Sequence, residues 1–107
     1  MLDQKVAGLL NEQVNKEFYS AYLYLDFSNF YKSRSLDGYA NWYEIQAREE
    51  MDHAMMMIRY LQDNDHEVVL GAIDKPQCTL ESPEDPLHAG LEHERYVTKL
   101  IHTIYDA

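Results

Sequence analysis

Gln46-Ala47-Arg48-Glu49-Glu50-Met51-Asp52-His53-Ala54 lies in the middle of residues 37–64, a stretch without proline whose one glycine, Gly38, sits at its very start. Such a stretch reads as a long helix. Along it Tyr39, Tyr43, Gln46, Glu50, His53, Met57 and Tyr60 recur in steps of three and four, which is one helical face. Glu50 and His53 stand three residues apart and so share that face. A carboxylate and an imidazole are thereby expected on the inward side of an otherwise apolar or amide stripe.

The flanking segments read the same way. Residues 4–33 hold no proline and only Gly8, and residues 83–107 have Pro83 and Pro86 in the opening turn and Gly90 as the sole later interruption. The break at Lys32-Ser33-Arg34-Ser35 is short and polar, which makes the first two helices antiparallel neighbours, with Ser35 or Asp37 as the expected N-cap of the second. Residues 65–82 contain Val68-Val69-Leu70, Gly71, Pro76 and Cys78. They show no helical period and are long for a connection, as a crossover running the length of the helix pair would be. Val68-Val69-Leu70 is β-like. Ser82 is a good N-cap for the third helix, with Pro83 at its first position and Asp85 completing a capping box; the alternative start has Asp85 as cap and Pro86 as the first helical residue. The third helix is still in period at Ile104-Tyr105-Asp106-Ala107, with no C-terminal glycine or proline. One domain is expected over residues 1–107: an all-α up-down bundle of which this chain supplies three helices (about 4–33, 37–64 and 83–107), with the fourth member missing.

Each predicted helix carries a carboxylate in mid-stripe. The first has Val6, Leu10, Gln13, Glu17, Ala21 and Tyr24; the third has Leu87, Leu91, Glu94, Thr98, Ile101 and Tyr105. Burying an unpaired carboxylate costs several kcal/mol, and three facing one another also repel. No Lys or Arg lies on these stripes, so a bound cation is the economical compensation. Oxygen ligands with one imidazole suit iron, manganese or zinc.

Composition agrees and excludes other classes. The chain has 107 residues, 46% hydrophobic and 12% aromatic, so it can bury a core. Its formal charge of −10 argues against a nucleic-acid partner and is compatible with cations as ligands. One cysteine, Cys78, rules out an internal disulfide and any Cys-rich metal site. The N-terminus Met1-Leu2-Asp3-Gln4-Lys5 lacks a basic stretch followed by an apolar run. No apolar segment approaches the ~18 residues of a membrane span. A soluble cytoplasmic chain with no membrane partner is expected.

Taken together, Asn11-Glu12-Gln13 with Glu17, Arg48-Glu49-Glu50-Met51-Asp52-His53-Ala54, the crossover residues Val68, Leu70, Ile73 and Pro76, and Glu92-His93-Glu94-Arg95 resemble the non-haem ferritins of bacteria over the whole chain. The resemblance implies a ferritin-like four-helix bundle with a long crossover. It implies a ferroxidase that oxidises Fe(II) with dioxygen or peroxide at an intra-bundle di-iron site, and ferric mineral stored in a cage of two dozen subunits built from two-fold dimers. Residue by residue, Glu17, Glu50 and His53 would hold the first iron. Glu50 would bridge to the second, which Glu94 would also hold, and Glu49 matches a position contributing to a third iron site. Tyr24 matches a tyrosine beside the dinuclear centre that donates a hydrogen bond or an electron. Met51 matches the haem-ligand methionine of haem-binding relatives, but the other motifs look like the non-haem branch and no haem is expected. Two other readings stand beside this one: a structural or assembly fragment without turnover, and a different di-iron bundle such as a rubrerythrin-like peroxidase.

Several residues read more simply. Gln13 and Gln46 are expected to hydrogen-bond near the site rather than to ligate. Met51, Met55, Met56 and Met57 are expected in core or subunit contacts, Trp42 in the core, His88, His93 and His102 on the surface, and Cys78 as a free loop thiol.

Overall fold

The computed structural model describes residues 2–106; Met1 lies outside them, as does Ala107, the last residue of the expected third helix. Three helices form: α1 (Gln4–Ser33), α2 (Asp37–Asp63) and α3 (Glu84–Asp106). Asp3 caps α1, its carboxylate accepting from the Lys5 N–H at 2.7 Å.

α1 and α2 each end in the same device. Past α1 the Ser35 N–H donates to the Lys32 carbonyl and the Leu36 N–H to Tyr31; past α2 the Asp65 N–H donates to Gln62 and the His66 N–H to Leu61. This is the paired 5→2 and 6→1 pattern of a Schellman stop. It needs a left-handed residue, here Ser35 at φ 59° and Asp65 at φ 61° rather than glycine. The stop also corrects the expected cap of α2. The N-cap is Leu36, with no side-chain hydrogen bond, because Ser35 is used in closing α1 and Asp37 pairs with Lys32 at 3.1 Å. At α3 the capping box holds in its reciprocal half, with the Asp85 carboxylate accepting from the Ser82 and Glu81 N–H groups at 2.9 Å each. Those two backbone donors hold the Asp85 carboxyl below its ordinary range.

α1 and α2 are antiparallel: Ala7 and Val14 near the start of α1 cluster with Leu61 near the end of α2. At the other end Leu23, Tyr24, Phe27 and Tyr31 cluster with Ala40, Tyr43 and Ala47. The crossover returns along α1. Asn11 donates to the Val69 carbonyl and accepts from its N–H, both at 2.9 Å, and Asn15 accepts from the Gly71 N–H at 2.9 Å. Farther up, Arg34 donates to Glu81 O at 2.9 Å and Tyr31 to Pro83 O at 2.6 Å. The chain therefore enters α3 beside the end of α1, and α3 descends antiparallel to α1.

α3 packs on α1 and touches α2 chiefly through Tyr43, whose hydroxyl donates to Pro86 O at 3.4 Å. Gly90 permits this approach, since a Cβ there would lie 3.2 Å from the Tyr43 hydroxyl. Among the described residues no helix is long and apolar enough to cross a membrane.

The α1 stripe is buried where expected, at Gln13, Glu17, Ala21 and Tyr24, whereas those of α2 and α3 differ in phase. α1 buries Gln13, Glu17, Ser20, Tyr24, Phe27 and Tyr31 in strict steps, and α2 buries Ala40, Tyr43, Ala47, Ala54 and Leu61. On α3 the buried residues are Pro86, Gly90 and Val97, one position before the expected Leu87, Leu91 and Thr98. Leu87 and Leu91 are exposed instead. Trp42, expected in the core, is 54% exposed, and Met51, Met55 and Met56 are exposed as well. The small residues explain the shift: Ala40, Ala47, Ala54 and Gly90 let backbones approach, so bulkier neighbours such as Tyr39, Trp42, Leu87 and Leu91 turn outward.

Candidate metal centre

A polar layer separates the two apolar clusters. Gln13, Glu17 and Ser20 are each no more than 2% exposed on consecutive turns of α1. Gln13 Nε2 donates to Glu17 Oε1 at 3.0 Å, whereas Glu17 Oε2 is buried with no hydrogen-bond partner. Facing it from α2 is Glu50, and His53 one turn on brings Nδ1 to 3.7 Å from Glu50 Oε2. One donor atom from each of Glu17, Glu50 and His53 lies within 4.8 Å of the others. The Glu50 side chain is 12% exposed and that of His53 54%, so the site is dry on the α1 side and open beside the imidazole.

Glu50 bears the electrostatic consequence. Burial, together with the close approach and negative charge of Glu17 and the further charges of Glu94 and Glu49, pushes its carboxyl up to about 9. Glu50 therefore holds its proton more firmly than an ordinary carboxylate, and a cation can take that proton's place. The donor set fits a divalent ion: two oxygens and an imidazole nitrogen, one oxygen lacking any partner. Metal–ligand distances of about 2.0–2.2 Å put two ligands of one ion at most about 4.4 Å apart, so a small side-chain adjustment closes the trio.

Glu94 sits beside this trio, outside it. The residue is exposed, and its carboxylate turns back to accept a hydrogen bond from the Tyr24 hydroxyl. Tyr24 is 2% exposed, and burial, then the bond to Glu94 and its charge, hold the phenol well above its ordinary range. Glu49 is exposed on α2 and also outside the trio. Gln13 contacts Glu17 as expected; Gln46 lines a cavity of about 270 Å³ with Tyr24, Trp42, Tyr43, Leu91 and Glu94.

Two neighbours, His93 and Ser20, escaped the sequence reading. His93, expected on the surface, is half-buried, with Nε2 2.6 Å from Ser20 Oγ. Its ring meets Tyr24 edge-on at 6.0 Å and Tyr19 at 5.8 Å. Burial lowers its basicity, opposed by the charges of Glu94 and Glu17. The signal was present: Pro86, Gly90, His93, Val97, Leu100 and Ile104 step 4, 3, 4, 3, 4 as cleanly as the stripe one residue later.

The ferritin-like domain profile matches residues 7–107. The chain belongs to the ferritin family. This ferritin is 41% identical over 106 residues to the bacterial non-heme ferritin of Campylobacter jejuni, an alignment covering 99% of the chain and 64% of that protein. It is 36% identical over 100 residues to ferritin BfrB of Mycolicibacterium smegmatis, covering 94% and 55%. The open-pore ferritin of Archaeoglobus fulgidus superposes with a TM-score of 0.93 at 37% identity, covering 99% of this ferritin and 65% of that chain. The chain thus spans between 55% and 65% of the length of these relatives.

Proposed function

We propose that the chain serves iron storage as a ferroxidase, with Fe(II) as substrate of the buried carboxylate site. One observation carries the reading: Glu17 Oε2 is buried without a donor, opposite a second buried carboxylate and within reach of an imidazole. The names of the relatives at 41% and 36% identity support the same reading.

In this reading Glu17, Glu50 and His53 hold one Fe(II). Glu50, giving up its proton as the ion enters, spans toward a second held by Glu94. Each Fe(II) supplies one electron to dioxygen or peroxide. Tyr24 keeps the Glu94 carboxylate oriented and places an oxidisable phenol beside it. The Glu49 carboxylate, next to Glu50 on the exposed side, would take part in a third iron position. The dry α1 side fixes the carboxylates, and the open side by His53 admits ion and oxidant. Storage would take place in a cytoplasmic homo-oligomeric cage of 24 subunits assembled from two-fold dimers.

The test is anaerobic Fe(II) titration followed by oxygen admission, with ferric absorbance and oxygen uptake compared between this chain and Glu50→Ala. Saturable Fe(II) binding and oxygen uptake that vanish in the variant are expected. Equal uptake by both would defeat the proposal, and binding without uptake would leave a scaffold. Native mass, expected at cage size when the relatives' remaining length is supplied, tests the assembly.

A further inference from the structure

We infer that His93 is a positioning residue for Glu94, setting the rotation of α3 against α1 through a directed hydrogen bond from its ring to Ser20.

α3 has little else to fix its rotation. Its buried residues are Pro86, Gly90 and Val97. These are small or rigid contacts that set the distance between helices but tolerate turning about the axis. Tyr31 and Tyr43 hold only its first turn, at Pro83 and Pro86. Glu94 is itself exposed, so burial does not place it either. Between those contacts and the far end of α3, the hydrogen bonds from α3 to α1 among the described residues are Tyr24 to Glu94 and Ser20 to His93, with the Lys16 ammonium 6.0 Å from the Tyr96 ring centre as a weaker, undirected contact.

The Ser20 link has a definite direction. A serine hydroxyl has one proton to give, and that of Ser20 goes to the Lys16 carbonyl one turn back, at 3.0 Å. The 2.6 Å contact with His93 therefore requires the ring to donate from Nε2. Ser20 is 1% exposed, so this acceptor is shielded from competing water. Tyr19 and Tyr24 flank the ring and restrict its tilt. Because His93 and Glu94 are consecutive, a ring held against α1 carries the next side chain to the Tyr24 hydroxyl. Rotating α3 by the one-residue difference between its two apolar stripes would swing Glu94 away from Tyr24. The inference rests on Glu94 holding the second metal, as proposed above.

The test uses redox-inert Zn(II) in calorimetric titration of the chain and its variants. Glu94→Ala identifies the binding step that depends on Glu94. His93→Ala and Ser20→Ala are each expected to weaken that same step about tenfold and to leave the other within twofold. His93→Gln, whose amide can donate to Ser20, is expected to restore it. Ring nitrogen shifts of His93 in the metal-free chain are expected to show the Nε2–H tautomer. Should His93→Ala fail to fold, Ser20→Ala, His93→Gln and the ring shifts decide the matter. The inference is overturned if folded variants leave the Glu94 step unchanged, if both steps fall alike, if His93→Gln does not rescue, or if the proton sits on Nδ1. A parent chain that binds no Zn(II), or a Glu94→Ala variant that weakens no step, would instead defeat the functional reading on which it rests.

Discussion

Glu17 and Glu94 are the same side chain held in opposite ways. Glu17 sits in the middle of α1, 2% exposed, with one oxygen bound to Gln13 and the other facing Glu50. Glu94 stands on the exposed flank of α3 and reaches the site only through the Tyr24 hydroxyl. The α1–α2 half is preorganised by two apolar clusters above and below it, so the ligands proposed there would cost little to arrange but would be expensive to leave without an ion. The α3 half has the reverse economy: little desolvation, loose placement. A tight step governed by charge burial and a weaker one governed by helix position follow from that contrast.

The largest effects should separate the halves directly. Glu17→Ala or Glu50→Ala should weaken the tight step roughly 100-fold, about 2.7 kcal/mol, and Glu94→Ala should weaken only the other, about tenfold. Calorimetric titration with Zn(II) reads both; equal losses from all three would erase the distinction. Next comes the pH dependence of the metal-free chain. The Glu50 carboxyl rises from its ordinary 4.5 to about 9 on folding. Between those values the folded chain holds a proton that the unfolded chain has lost. Stability is therefore greatest near the lower end and falls as pH rises through the window, on the order of 2 kcal/mol after screening by solvent. Denaturant unfolding at pH 5.5 and pH 8 should show the fall (two settings inside that window), and Glu50→Gln should flatten it. Added Zn(II) should reverse it, since metal competes with the proton on Glu50.

How far this contrast was legible in the sequence depends on what each residue competes with. Glu17, Glu50 and His53 could be picked out as candidates because charged or polar groups stood at matching depth on apolar stripes, and Glu50 and Glu17 lie on both the expected and the observed stripes. The three helices and the crossover were readable from proline and glycine placement for the same reason. The phase of α3 was not, because Leu87, Leu91 and Ile101 are as apolar as the stripe one residue earlier. Only close approach at Gly90, a tertiary fact, decides between them. His93 went with the phase. The cap of α2 was missed because Ser35 was spent closing α1, and its left-handed backbone cannot be read from a serine.

A smaller effect tests the link between the halves. Tyr24→Phe keeps the buried ring and removes the donor to Glu94. It should cost about 1 kcal/mol of stability in urea unfolding and weaken the Glu94-dependent Zn(II) step several-fold while sparing the tight one. Loss of the tight step instead would show that the α1–α2 trio depends on α3 after all.

The smallest effect is a control on the whole contrast. Ser35 occupies a left-handed position at φ 59° in the three-residue link between α1 and α2, far from the carboxylates along both helices. Glycine adopts that backbone without the Cβ conflict, at some gain in unfolded-chain entropy. Ser35→Gly should therefore stabilise the chain by about 0.5–1 kcal/mol, read as a higher urea midpoint at unchanged slope. Because the link joins only α1 and α2, neither Zn(II) step should move. If general stiffening of the helix pair raised the affinity of the Glu94-dependent step, helix position would be set by global stability rather than by the contacts of Tyr24 and His93, and the assignment of that step to local placement would fall.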